Sequence, residues 1–286
     1  MRKLTIAVLM VLACWFAAAA AHGAELNLPA QVPAGKDLAF ATSGSGDATL
    51  YLIGPSDVVR KTVHLGSEVR LAAENLRTAG RYTLVLGSDS KDFQVVPGAP
   101  ARLSFLALPS RLPVALNHGI SGVVYTFDGA HNLVLAPQTV KFTLSVADAA
   151  AVTREVQTKN GVAWLQLDST RKAGQAQFVA SLGDVTEKRI VQETPSDPCN
   201  LRLKVQRTEK SLIAETDPIK DCTGNPVPDG TIVTFTEISP KGKSSVDARI
   251  KRGFARAELP LDKDAVVSVA SGVVLGNEVR ISGGGQ

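Results

Sequence analysis

From Glu25 onward the chain runs as short stretches in which apolar and polar residues alternate, parted roughly every 8 to 12 residues by clusters of Gly, Pro, Asp and Ser. Alternation with period two places successive side chains on opposite faces of a strand, and no stretch sustains the 3.6-residue period of an amphipathic helix. An all-β chain of small sandwiches is therefore predicted. In its first part Lys36–Ala41, Ala48–Ile53, Val58–His64, Glu68–Ala72, Arg81–Leu86 and Asp92–Val96 are the predicted strands, enough for one sandwich. Tyr82, just ahead of Thr83-Leu84-Val85, is placed as a tyrosine corner, whose phenol hydroxyl returns to a nearby backbone group at a sandwich edge. Pro97-Gly98-Ala99-Pro100 then breaks the ladder, because proline has no N–H to donate.

The remainder contains an internal repeat. Residues 128–143 align without gaps on residues 221–236, and six of these sixteen positions are identical, including Asp128/Asp221, Asn132/Asn225 and Phe142/Phe235. Gly161-Val162-Ala163 matches Gly253-Phe254-Ala255, and Val179-Ala180-Ser181 matches Val269-Ala270-Ser271, after shifts that loops absorb. Two copies of one fold follow, parted near Glu193-Thr194-Pro195-Ser196-Asp197-Pro198. Asp-x-x-Gly-Asn-Pro is turn chemistry, since Asp and Asn side chains bond nearby backbone and Gly admits positive φ. The alternation that follows predicts Val140, Phe142, Val233 and Phe235 to be buried.

The run Asp221 to Thr231, with Thr-Val-x-Phe-Thr, Gly-x-Ala and Lys172-Ala173-Gly174-Gln175-Ala176-Gln177-Phe178-Val179-Ala180-Ser181, resembles the bacterial immunoglobulin-like repeats of invasin and intimin-type surface proteins. The resemblance covers about Ala99 to Ile281, and the first segment is immunoglobulin-like only in a general way. It implies tandem immunoglobulin-like β-sandwich domains that hold an adhesive tip away from a surface or form part of a contact face. The expected organisation is a signal peptide at 1–23 and three domains at 24–97, 98–194 and 195–286, the last ending in a short flexible tail.

The leader sets the compartment. Arg2 and Lys3 precede an apolar run from Leu4 to about Ala21, closed by small residues before Ala24-Glu25, the layout of a secretory signal peptide. An N-terminal membrane anchor, or lipoprotein processing at Cys14, are the competing readings of the same stretch. Cys199 and Cys222 then remain, and an even count in an exported chain reads as one disulfide. A hairpin with its turn near Lys210 would bring these two positions opposite one another. Of 31 basic residues, 29 remain without Arg2 and Lys3, against 27 acidic. That balance gives no electrostatic case for nucleic acid. With 44% apolar residues and 20% charged ones, the chain is far from the composition of disorder.

No catalytic constellation stands out. His64, His118 and His131 lie on different stretches without a metal-ligand spacing and read as turn or surface residues. Ser43-Gly44-Ser45-Gly46 lies between two strands, with no helix to make a nucleophile elbow. Asp217, Asp221 and Asp229 are hard oxygen donors near one turn, but they lack a calcium-loop pattern, and solvated turn aspartates explain them equally well. No metal and no cofactor is expected. In Gly161 to Asp168, alternation puts Trp164 with Gln166 and Asp168 on the face opposite Ala163, Leu165 and Leu167. Trp164 is thus a candidate contact residue, unless it packs on a neighbouring domain or its own sheet. The expected function is that of a non-enzymatic exported protein of the periplasm, cell surface or medium, with no stable transmembrane segment after cleavage. It would serve as a spacer or adhesion module for an envelope or extracellular protein partner. A periplasmic accessory subunit and a carbohydrate-binding module using Trp164 are the alternatives.

Overall fold

The computed structural model describes residues 26–147, 149–262 and 264–282. The expected leader, Cys14 included, lies outside the described residues. Within them the alternating runs are strands, and the single helical element is a 3-10 turn at Ala73–Leu76. The chain divides into two compact units, one holding residues up to Arg102 with Thr126–Leu135, the other Leu103–Tyr125 with Ala136 onward.

In the first unit a five-stranded sheet runs in the spatial order Gln31–Pro33, Asp89–Val96, Gly80–Leu86, Asp47–Ile53, Val58–His64. A two-stranded ribbon of Leu38–Ala41 and Glu68–Leu71 supplies Leu38, Phe40, Val69 and Leu71 to the same core. The predicted strands are all present, with ends shifted by up to three residues. Gln31–Pro33, too short to show alternation, pairs parallel with Gln94, Val95 and Val96 and was not predicted. Tyr82 is buried against Phe93, ring centroids 5.6 Å apart, and its hydroxyl donates to the Thr78 carbonyl at 3.0 Å.

The second unit contains two cores. Around one, a three-stranded sheet of Val162–Leu167, Ile120–Asp128 and Pro100–Leu108 faces a five-stranded sheet in the order Val152–Gln157, Thr139–Val146, Gly174–Leu182, Val185–Thr194, Arg111–Pro113. Phe105, Phe142 and Phe178 meet at its centre, with centroids 5.0 to 6.0 Å apart. The trio needs Gly122: a Cβ there would stand 2.7 Å from the Phe178 ring. Around the other core, Leu203–Arg207, Leu212–Thr216 and Arg256–Leu259 face Gly242–Arg249, Ile232–Ser239, Ala265–Ser271 and Val274–Ile281. Val140, Phe142, Val233 and Phe235 are fully buried in equivalent strands. The repeat extends to turns: Lys159 and Val162 exchange backbone hydrogen bonds around Asn160-Gly161, and Lys251 and Phe254 do so around Arg252-Gly253.

Cys199 and Cys222 form a disulfide with Cα atoms 4.7 Å apart. Their expected square opposition is corrected. The hairpin turns on Glu209-Lys210, held by Thr208 N–H on the Ser211 carbonyl and Ser211 N–H on the Thr208 hydroxyl. This register pairs Leu203 with Thr216 and brings the Cys199 N–H onto the Lys220 carbonyl. Cys199 therefore reaches Cys222 diagonally, two residues along the opposing chain.

Candidate functional site

The repeated Asp-x-x-x-Asn turns do more than reverse the chain. In the second unit, Asp221 Oδ1 accepts the backbone N–H groups of Thr223 and Asn225, both at 2.9 Å, and the Thr223 hydroxyl at 2.8 Å. Its Oδ2 accepts the Asn225 amide at 3.0 Å and the Ser196 N–H at 3.2 Å. Burial alone would raise this carboxyl, but the Asn225 and Thr223 donors outweigh it and bring it down to about 2. So fixed, Asn225 turns its amide onto a loop more than fifty residues earlier. Its Oδ1 accepts the Ala173 N–H at 2.9 Å, and its Nδ2 donates to the Arg171 carbonyl at 2.9 Å. Buried Glu193 holds that loop from beneath, accepting the Thr170 N–H at 2.7 Å and its hydroxyl at 2.5 Å.

The same clasp occurs within the first unit. Asp128 accepts the N–H groups of Ala130, Asn132 and Gly98, while Asn132 accepts the Ala79 N–H and donates to the Arg77 carbonyl, both at 2.7 Å. Burial works to raise Asp128, and its Asn132, Gly98 and Ala130 donors again carry it below the ordinary carboxylate range. Both clasped loops read Arg-x-Ala-Gly, Arg77 to Gly80 and Arg171 to Gly174, and both glycines stand near φ +150°, where a side chain is strained. Sequence reasoning identified the turns without seeing what they grip. The signal was present, since Arg-x-Ala-Gly recurs at nearly the spacing of the repeat.

These bonds also account for the aspartates weighed as calcium donors. Asp221 is saturated by internal donors, Asp217 is paired with Lys204, and Asp229 accepts the N–H groups of Arg252 and Gly253. Among the described residues no group of three or more His, Cys, Asp or Glu is arranged to hold a metal. His64 bonds Asp47 at 3.0 Å and His131 accepts from Arg102 at 2.8 Å. His64 ends the strand Val58–His64 and His131 lies in a turn of the same unit, while His118 falls in the second unit, its backbone N–H bonded to Asp168.

Trp164 points outward. It is 65% exposed, pairs across the strands with half-buried Val123, and shares its face with half-buried Val162 and Tyr125. On the edge strand Pro100–Leu108 of the same sheet, Leu106 and Leu108 are 52% and 66% exposed. On that strand Leu103, Phe105 and half-buried Ala107 point inward, so strict alternation puts Leu106 and Leu108 on the outer face. The equivalent strand of the third core carries Arg256 and Glu258 at the outward positions, so the apolar face is particular to the middle one.

No family model matches the chain, and no curated protein matches it by sequence. Solved structures do match. The Escherichia coli adhesin FdeC superposes with a TM-score of 0.58 at 12% identity, covering 90% of this chain and 98% of that one. InvD of Yersinia pseudotuberculosis gives 0.51 at 12% identity, covering 92% and 98%. The fold is that of bacterial immunoglobulin-like repeat proteins. Invasin, a bacterial integrin-binding protein, gives 0.50 at 13% identity, with 91% of this chain spanning 59% of invasin. At these identities the likeness is one of fold.

Proposed function

We propose that the chain is an exported, non-enzymatic protein of the cell envelope or surface, a binding and spacing module of three sandwich domains at 24–97, 98–194 and 195–286. Its contact face is the outer surface of the sheet that carries Trp164. The observation that carries this reading is that face: Trp164, Leu106 and Leu108 present exposed apolar side chains on one three-stranded sheet, where the equivalent sheet of the third core presents Arg256 and Glu258. The Cys199–Cys222 bond supports export, because structural disulfides persist in oxidising compartments. The fold it shares with an adhesin and with invasin supports a surface role. No helix among the described residues is long and apolar enough to cross a membrane.

The test is capture from detergent-solubilised envelope and from host-cell extracts, with the mature chain and its Trp164→Ala variant as baits and mass spectrometry as readout. The expected result is a specific protein retained by the wild type and lost with Trp164→Ala. Retention of the same proteins by both baits refutes the assignment of this face.

A further inference from the structure

The loop clasped by Asn225 links Val162–Leu167 to Gly174–Leu182. Its counterpart in the third core links Arg256–Leu259 to Ala265–Ser271. The two ends are built from opposite chemistry. In the alignment of the repeats, Leu144 and Val146, both buried at the end of the middle core, correspond to Glu237 and Ser239. The Arg-x-Ala-Gly loop has no equivalent in the third core, where Leu261-Asp262 follows Pro260.

Glu237 continues the inward row of Val233 and Phe235 and is only 2% exposed, with Oε1 buried and bonded to nothing in the protein. A buried carboxylate oxygen without a partner costs more than an apolar residue in its place, so its presence here calls for an explanation. It lines a cavity of 250 Å³ together with Ser239, Lys241 and Asp262. Asp262 is buried, accepts the Ser239 hydroxyl at 2.6 Å, and is held by the ammonium of Lys241, whose side chain is otherwise exposed. Burial first, and then the charge of Asp262, push the Glu237 carboxyl up against the opposing pull of Lys241 and Ser239. Asp262 thus holds the Lys241 ammonium beside a Glu237 carboxyl whose Oε1 receives no donor.

We propose that this end of the third sandwich is a docking site for a primary ammonium group of a protein partner, a lysine side chain that displaces Lys241 from Asp262 and supplies the missing donor to Glu237. The position matches the end at which the middle core already receives a protein side chain, the Asn225 amide on Arg171 and Ala173. Lys241 acts as an internal stand-in, showing that the cavity accepts an ammonium, and its exposure makes it easy to displace.

The site is independent of the Trp164 face, and Trp164→Ala serves as the control that separates the two. Tetralysine and its fully Nε-acetylated form are titrated into the full chain and followed by amide chemical shifts. Shifts confined to Lys241–Ser244 and Leu261–Asp262 are expected with tetralysine and not with the acetylated peptide. Lys241→Ala removes the competitor and tightens binding about two- to fivefold, the range that an exposed ion pair is worth. Glu237→Leu, which installs the residue of the equivalent position 144, and Asp262→Asn both abolish the shifts, while Trp164→Ala leaves them unchanged. Equal response to the acetylated peptide, no response in the Lys241→Ala chain, or undiminished binding by both Glu237→Leu and Asp262→Asn overturns the proposal.

Discussion

Replacing Asn225 with alanine is the sharpest probe of the clasp. The side chain makes two bonds to the loop at 171–173, one from the Ala173 N–H and one to the Arg171 carbonyl, each 2.9 Å long. A hydrogen bond of this kind contributes about 1 kcal/mol net, so the two together hold the loop by about 2 kcal/mol. A tenfold change in an equilibrium corresponds to about 1.4 kcal/mol, and the loop should therefore open roughly 30 times more often. Amide hydrogen exchange reads this directly, because the Ala173 proton is the one released. Exchange at Ala173 is expected to accelerate about 30-fold, while amides of Phe178 and Ala180, inside the sheet, change only by the small loss of global stability. Acceleration below about threefold at Ala173, with the fold intact, would refute the assignment of Asn225 as the grip. Asn132→Ala offers an independent repetition in the first unit, read at the Ala79 amide.

Three further outcomes are expected. Replacing Cys199 and Cys222 by alanine removes the constraint on a loop of sequence separation 23, which chain entropy values at about 3 kcal/mol, measurable by urea unfolding of oxidised and variant chains. The Asp221 carboxyl lies at about 2 in the fold against an ordinary 3.8, so its contribution is present above pH 4 and is lost as pH falls through 2. The shift corresponds to about 2 kcal/mol, and Asp221→Asn should abolish this part of the acid dependence of unfolding. Arg252 occupies φ +54° where the other copy has Asn160 at φ +52°, and asparagine tolerates that region better. Arg252→Asn should stabilise the chain by about 0.5 kcal/mol in thermal or urea unfolding, and a loss of stability would show that Arg252 has a compensating contact.

Much of the fold is legible from alternation alone, because a half-buried strand writes its inward face into every second residue. Val140, Phe142, Val233 and Phe235 were readable for that reason, and so was the outward aim of Trp164. The same parity places Glu237 on the inward row, yet a carboxylate does not announce burial, since the residues that enclose it come from a distant loop. Gln31–Pro33 and Arg111–Pro113 escape because a three-residue parallel strand leaves no periodic trace. The clasp was half legible: the Asp-x-x-x-Asn turns carry their local chemistry in sequence, but the partner of Asn225 lies more than fifty residues away. The hairpin register differs by two residues on the opposing chain because it is decided by which two residues form the turn, and Thr208 and Ser211 settle that through side-chain bonds.

The cross-link between Cys199 and Cys222 also sets how the third core responds to being pulled along the chain. Tension entering at Cys199 passes through sulfur to Cys222, so the hairpin Leu203–Thr216 is shielded from the load. An extended chain gains about 3.5 Å per residue, and the bond withholds roughly 80 Å of that length when the core gives way. Reduction restores it, so the protein's extensibility is set by the redox state of its surroundings.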